Sequence, residues 1–247
     1  MMEPVLAVEG VRKAFGGVDA LIDVSLRVNA GERVALIGPN GAGKTTCFNL
    51  VNGQLAPDAG SIALMGERIE GLLPREIARR GVGRTFQIAA TFASMTVREN
   101  VQMALIARDD RQRAITSRAC DLMRLEADAL LERVRMTRFA DQGCATLAYG
   151  DAKRVELALA LAGRPRLLLM DEPTAGMSPR SRGRMMDLAS TLARQENIAV
   201  LFTEHDMDIV FGHADRVIVL DRGRIIAEGS PDAIRADARV QAVYLGT

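Results

Sequence analysis

Near its start the chain alternates apolar and polar positions in two stretches, "VLAVEGVRKAF" and "IDVSLRVN". That two-residue period belongs to half-buried strands, and turn signals stand at Gly16-Gly17 and Asn29-Ala30-Gly31. A small β layer is expected to open the fold. "RVALIG" (Arg33 to Gly38) then drops the alternation and reads as a buried strand, and "TTCFNLVNG" reads as a helix closed by a left-handed cap at Gly53. From about Thr96 to Asp141 the apolar period lengthens, with Leu122, Leu125, Ala129 and Leu130 at helical spacing in "CDLMRLEADALLERVRM". This predicts a mainly helical lobe, although crossover helices of a sheet would carry the same pattern. "RLLLMDEP" and "IAVLFTEHD" are aliphatic runs on either side of the helical pattern "RSRGRMMDLASTLARQ", a βαβ unit that implies a parallel sheet. "RVIVLDRGRIIAEG" predicts a hairpin around Arg222-Gly223, followed by a polar helical tail.

Composition narrows the class without naming a partner. Apolar residues make up 48% of 247 residues and charged residues 26%, with no Trp, as in a globular protein packed with aliphatic side chains. A net charge of +1 gives no general attraction for nucleic acid or acidic lipid. Cys47, Cys120 and Cys144 are widely spaced and odd in number, which fits reduced thiols better than a disulfide framework. The N-terminus lacks the pattern of a signal peptide, and no run approaches the ~18 apolar residues of a membrane span, so a protein that neither spans nor is secreted is expected.

"GPNGAGKT", Gly38 to Thr45, satisfies G-x-x-x-x-G-K-[ST] between a predicted strand and a predicted helix, the context in which that pattern cradles phosphate. Gly38, Gly41 and Gly43 allow successive backbone N–H groups to point into one concavity, with Pro39, Asn40 and Ala42 between them. Lys44 is expected to reach the β- and γ-phosphates, Thr45 to offer its hydroxyl to Mg²⁺, and Thr46 to extend the phosphate contacts. In "LLLMDEP", Asp171 at a strand end suits a Mg²⁺ ligand and Glu172 a general base for the attacking water; a solvated turn would also accept such a pair. His205 ends the next strand on the same edge of a parallel sheet, within reach of both carboxylates, or else is an ordinary loop histidine.

These residues together resemble, over nearly the whole chain, the ATP-binding subunit of an ATP-binding-cassette (ABC) transporter. "GPNGAGKTT" is similar to the family's Walker A, Gln87 in "VGRTFQ" to its Q-loop glutamine, "LAYGD" to its signature, "LLLMDEP" to Walker B and His205 to its switch histidine. Phe15 stands where the family places the aromatic that stacks on adenine. The resemblance implies a P-loop α/β core with a mainly parallel sheet, an N-terminal antiparallel β layer and a helical subdomain at about 90–160, all within one ABC ATPase domain spanning 1–247. It further implies ATP and Mg²⁺ as ligands, with Glu172, His205 and Gln87 catalytic and Thr45, Gln87 and Asp171 around the metal. "GRTFQ", "LAYGD", "DEPTAGM" and "VQAVYLG" are similar to the larger ATPase subunit of branched-chain amino-acid importers, a subgroup that extends to other amides, amino acids and urea.

The implied partners are polytopic membrane permease subunits, a second ATPase subunit in a homodimer or paralogous heterodimer, and indirectly a periplasmic substrate-binding protein, with no nucleic acid. The implied location is the cytoplasmic face of the inner membrane. A soluble ABC ATPase acting on scaffolds or other assemblies, a lipopolysaccharide-export ATPase, and a nucleotide-binding subunit of negligible turnover are the alternatives. Two departures from the family pattern bear on turnover. The signature, usually L-S-G-G-Q, here reads Leu147, Ala148, Tyr149, Gly150 and Asp151, so its serine hydroxyl is gone; a lost donor to a charged oxygen is worth roughly 1.5–3 kcal/mol, which implies attenuation. Ser178 replaces the aspartate of the family's D-loop.

Overall fold

The computed structural model describes residues 3–85, 91–109 and 123–245. Strand β1 (Leu6–Phe15) pairs antiparallel with β2 (Val18–Val28) across Gly16-Gly17, both at positive φ. Strand β3 (Arg33–Ile37) is buried at every position, so its sequence shows no alternation. Helix α1 (Lys44–Val51) follows the glycine loop and ends at Asn52, with Gly53 at φ 75°. Between Gly53 and Thr96 the apolar pattern predicts no element, yet the backbone forms β4 (Ala59–Leu64), β5 (Glu67–Arg68), α2 (Pro74–Arg79) and β6 (Val82–Thr85) there. These segments are short, and a period needs more turns or pleats than they supply.

Helices α3 (Val97–Arg108), α4 (Arg124–Arg133) and α5 (Tyr149–Ala162) lie in sequence between β6 and β7 (Leu167–Asp171). A capping box opens α3, with the Thr96 hydroxyl accepting from the Glu99 N–H and the Glu99 carboxylate accepting from the Thr96 N–H. The expected apolar stripe of α4 is corrected: Leu125 is 88% exposed, Leu122 lies outside the described residues, and Ala127, Leu130 and Leu131 carry the buried face together with Val134. The true stripe has spacings of three, one and three, and Leu125 falls on the opposite side of the cylinder. The remaining elements are α6 (Pro179–Glu196), β8 (Ala199–Thr203), α7 (Met207–His213), β9 (Arg216–Asp221), β10 (Arg224–Gly229), α8 (Pro231–Ala236) and α9 (Ala238–Leu245), with Arg222 and Gly223 both at positive φ between β9 and β10.

Two sheets result. One is antiparallel, in the order β2-β1-β4-β5; the other runs β10-β9-β3-β8-β7-β6 and is parallel except for its β9–β10 edge. Alternate residues of the parallel strands feed two separate cores. Ala35, Ile37, Leu168, Met170, Val200 and Phe202 face the helices, whereas Val34, Leu36, Leu167, Leu169, Ala199 and Leu201 face α1 and the antiparallel sheet. A sheet covered on both faces leaves only its strand ends open, and three strands, β3, β7 and β8, end beside one another at the same edge.

Candidate functional site

The loop from Gly38 to Gly43 leaves the end of β3 in a path that only glycine permits at two points. A Cβ on Gly38 would stand 2.0 Å from the carbonyl oxygen of Leu220, and one on Gly43, at φ 108°, would stand 2.5 Å from that of Ala20. The far side of the loop is braced by the β9–β10 turn, where Gly223 N–H donates to the Ala42 carbonyl at 2.9 Å. Lys44 folds back over the loop and donates to the carbonyls of Gly38 (2.6 Å) and Pro39 (3.0 Å). Burial pulls its ammonium below the ordinary lysine range, and the carboxylates of Glu172 and Asp171 oppose that pull. A cation desolvated beside two carboxylates and satisfied by backbone carbonyls is poised to take phosphate oxygens in their place. Thr45 and Asn40 are exposed, Thr46 and Pro39 half-buried, and Ala42 buried.

Asp171 ends β7 opposite Thr203, the last residue of β8. The Thr203 hydroxyl donates to Asp171 Oδ1 at 2.8 Å and accepts from the Glu172 N–H at 3.0 Å, so one side chain fixes both acidic positions. Glu172 itself lies at φ 47°, uncommon for a residue with a side chain and a feature that gathers at functional sites. Its Oε1 stands 2.7 Å from His205 Nε2. The structure therefore brings Lys44, Asp171, Glu172 and His205 to one sheet edge. Thr45 and Asp171 offer hydroxyl and carboxylate oxygens, the hard donors of the kind Mg²⁺ takes when phosphates and water complete its shell, so the residues fit that ion.

The signature residues form a second locus at the start of α5. Ala148 is its N-cap, in extended conformation with no side-chain cap hydrogen bond. Tyr149 is exposed, its ring lying 5.8 Å from Lys153 Nζ, and Asp151 pairs with Arg154 at 3.4 Å. Leu147 packs partly against the helical core. A Cβ built on Gly176, in the loop after Glu172, would lie 3.3 Å from Tyr149 Cε1, so the signature ring borders that loop. Ser178 holds the N-cap position of α6 without a side-chain cap hydrogen bond, and its hydroxyl donates to that of Ser181 at 3.0 Å. Phe15 ends β1 about half exposed, with Lys13 Nζ 5.6 Å from its ring centre. Gln87 lies outside the described residues.

Two polar residues of the site escape the motif reading. Glu204 is buried and accepts from the Thr174 N–H (2.8 Å) and hydroxyl (2.7 Å), tying the loop after Glu172 to the loop that carries His205; burial pushes its carboxyl up from the ordinary range. Arg84, on β6, reaches Asn49, Gln54 and Asp171. A charged residue between buried neighbours in "VGRT" was the available signal, and only the fold shows what it faces.

Comparison with known proteins agrees with this geometry. Residues 21–175 match the ABC transporter family model, and residues 224–247 match the model of the branched-chain amino acid ATP-binding cassette transporter. The chain is 40% identical to the high-affinity branched-chain amino acid transport ATP-binding protein BraF of Pseudomonas aeruginosa and 38% to LivG of Escherichia coli, covering 100% of this chain and 99% of each relative. The lipopolysaccharide export system ATP-binding protein LptB of Haemophilus influenzae is 37% identical over 98% of this chain and 97% of its own. Among solved structures, the ADP conformation of an ATP-binding cassette of an ABC transporter superposes with a TM-score of 0.89 at 31% identity, covering 100% of both chains. A dimeric cassette in a post-hydrolysis state, bound to ADP and Pi, does so with a TM-score of 0.78 at 27% identity, over 92% of this chain and 98% of that one. The chain belongs to the ATP-hydrolysing ATP-binding proteins of the ABC transporter family.

Proposed function

We propose that this ATPase powers an importer of branched-chain amino acids or related amides. The observation that carries the reading is the match of residues 224–247 to the model of branched-chain amino acid transporters, added to full-length likeness to BraF and LivG. The lipopolysaccharide-export relative matches over nearly the same length, so the C-terminal segment is what favours import.

Two copies close head to tail, each nucleotide held between one copy's Gly38–Thr46 loop and the other's Leu147–Asp151 turn, with Phe15 stacked on adenine. In each site Lys44 exchanges its two backbone carbonyls for phosphate oxygens. Thr45 and Asp171, with Gln87 outside the described residues as the further candidate, would hold Mg²⁺, which would supply charge neutralisation to the phosphates. Glu172 accepts the proton of the attacking water, and His205, whose Nε2 stands 2.7 Å from Glu172 Oε1, exchanges that partner for the γ-phosphate, to which it donates. The signature contributes backbone N–H groups and the positive end of α5 to the opposite nucleotide.

The permease is proposed to seat in the groove of about 630 Å³ between α2, β6, α3 and the end of α5. Ile77, Ala78, Val82, Ala104, Leu159 and Pro165 give it an apolar lining, suited to the apolar face of a helix. Arg75 and Arg79 also line it and, among the described residues, no acidic side chain does, so a partner helix with acidic or carbonyl groups fits best. Among the described residues no helix is long and apolar enough to cross a membrane, and a peripheral place on the cytoplasmic face of the membrane is part of the proposal. Replacing Glu172 by Gln is expected to lower phosphate release by the assembled transporter by about 10²-fold or more and to accumulate an ATP-bound dimer on size-exclusion chromatography. Hydrolysis at the wild-type rate would remove Glu172 from its role.

A further inference from the structure

Arg84 stands where the groove and the metal-binding carboxylate meet. Its side chain is 10% exposed and that of Asp171 14%, so neither charge is well hydrated. Nη1 of Arg84 donates to Asn49 Oδ1 at 2.8 Å and to Gln54 Oε1 at 3.3 Å, while Nη2 reaches Asp171 Oδ2 at 3.4 Å. The neutral amides on and after α1 thus hold the guanidinium more closely than the carboxylate does. Asp171 keeps its own fixed contact, Thr203 at 2.8 Å on the other oxygen. The same guanidinium lines the groove beside Asn52 and Gln54. A positive charge held beside a carboxylate lowers that carboxylate's attraction for a dication, and the penalty falls as the charge is drawn away.

We propose that Arg84 is a positioning residue through which the groove sets the Mg²⁺ affinity of Asp171. In the isolated protein Arg84 leans on Asp171 and keeps Mg²⁺ binding weak. A partner group that accepts hydrogen bonds inside the groove, a carboxylate or the carbonyl end of a helix, draws the guanidinium toward the groove and frees Asp171. The inference rests on the functional reading for two points only, Asp171 as a metal ligand and the groove as the seat of the permease. Asn49→Asp imitates the partner from within, by placing a carboxylate against Nη1.

The test is titration of Mg²⁺ into the full-length protein loaded with a fluorescent ADP analogue, a readout that needs neither turnover nor a permease. Arg84→Gln is expected to bind Mg²⁺ about five- to tenfold more tightly, on the order of what a unit charge several ångströms from a dication is worth under solvent-like screening. Arg84→Lys, which keeps the charge, stays within about twofold of wild type, and Asn49→Asp tightens binding about threefold by the same Coulombic argument. Analogue affinity in EDTA checks that each variant retains its pocket; where Arg84→Gln loses it, Asn49→Asp decides alone. In the assembled transporter, wild type gains Mg²⁺ affinity over the isolated protein and Arg84→Gln gains none. Mg²⁺ affinity in Arg84→Gln equal to or weaker than wild type overturns the proposal. An Asp171→Asn variant with unchanged Mg²⁺ affinity instead overturns the metal assignment, and a Glu172→Gln variant that fails to dimerise bears on the functional reading alone.

Discussion

Two helices of this protein begin at glycine-bearing turns, and they do so in opposite ways. Before α1, Gly38 and Gly43 are demanded by the fold itself, since a Cβ at either would stand 2.0 or 2.5 Å from a backbone oxygen. At the start of α5, Gly150 has helical backbone and a Cβ there would meet nothing within 4 Å. The first turn is a rigid cradle whose shape is fixed by its neighbours β2 and β9. The second is an open edge whose glycine no intramolecular contact requires, so its requirement comes from whatever docks on it. The proposed dimer, with each nucleotide site divided between two copies, would account for that difference.

The largest effect is expected at Gly38. Gly38→Ala forces a side chain into the Leu220 carbonyl, which no rotamer relieves, and the loop or β9 must shift. A loss of several kcal/mol in stability and of at least about 10²-fold in ADP affinity is expected, read by thermal unfolding and calorimetry. An intact loop in that variant would show that the close approach is not the reason for glycine.

Gly150→Val sharpens the contrast from the other side. The site is open and helical, where valine is no worse than glycine, so stability should stay within about 0.5 kcal/mol. ADP binding to the isolated protein should not change, whereas hydrolysis by the assembled dimer should fall about tenfold or more, because the branched side chain stands between the α5 N-terminus and the opposite phosphate. A parallel loss of stability would return Gly150 to an ordinary packing role.

The same contrast explains what the sequence disclosed. The β1–β2 alternation, the uniformly buried β3 and the glycine loop were readable because each is imposed by local geometry: pleat, two-sided burial or positive φ. The approach of His205 to Glu172 followed from a single topological fact, that parallel strands end at one edge. Leu125 misled because in a ten-residue helix one misplaced leucine is enough to turn the apparent stripe to the wrong face. Arg84 and Glu204 were illegible for a different reason. Their side-chain partners are 30 or more residues away, Asn49, Gln54 and Asp171 for Arg84 and Thr174 for Glu204, and a buried charge leaves no periodic trace. The buried Lys153–Glu156 pair at 2.9 Å is similar: its spacing reads as a solvated helix face, yet each side chain is 3% exposed. Burial alone raises the Glu156 carboxyl, opposed by Lys153.

The smallest effect is at Ala148, which differs by one oxygen atom from the serine usual in the family's signature. Ala148 has the extended backbone of an N-cap, at φ −62° and ψ 148°, but no side-chain acceptor for the first turn of α5. Ala148→Ser restores that acceptor and should stabilise the fold by about 1 kcal/mol in thermal or denaturant unfolding, whether or not nucleotide is present. In the dimer the same hydroxyl has a second use, donating its proton to the opposite phosphate while its lone pairs accept from the first turn of α5. If the signature contacts nucleotide, the assembled transporter should gain up to about tenfold in the concentration dependence of ATP hydrolysis, near the lower end of what a hydrogen bond to a charged group contributes. The two readouts therefore separate the roles: a stability gain with no change in ATP dependence would mean that the turn meets the opposite nucleotide through backbone alone, and that the missing serine does not attenuate this enzyme.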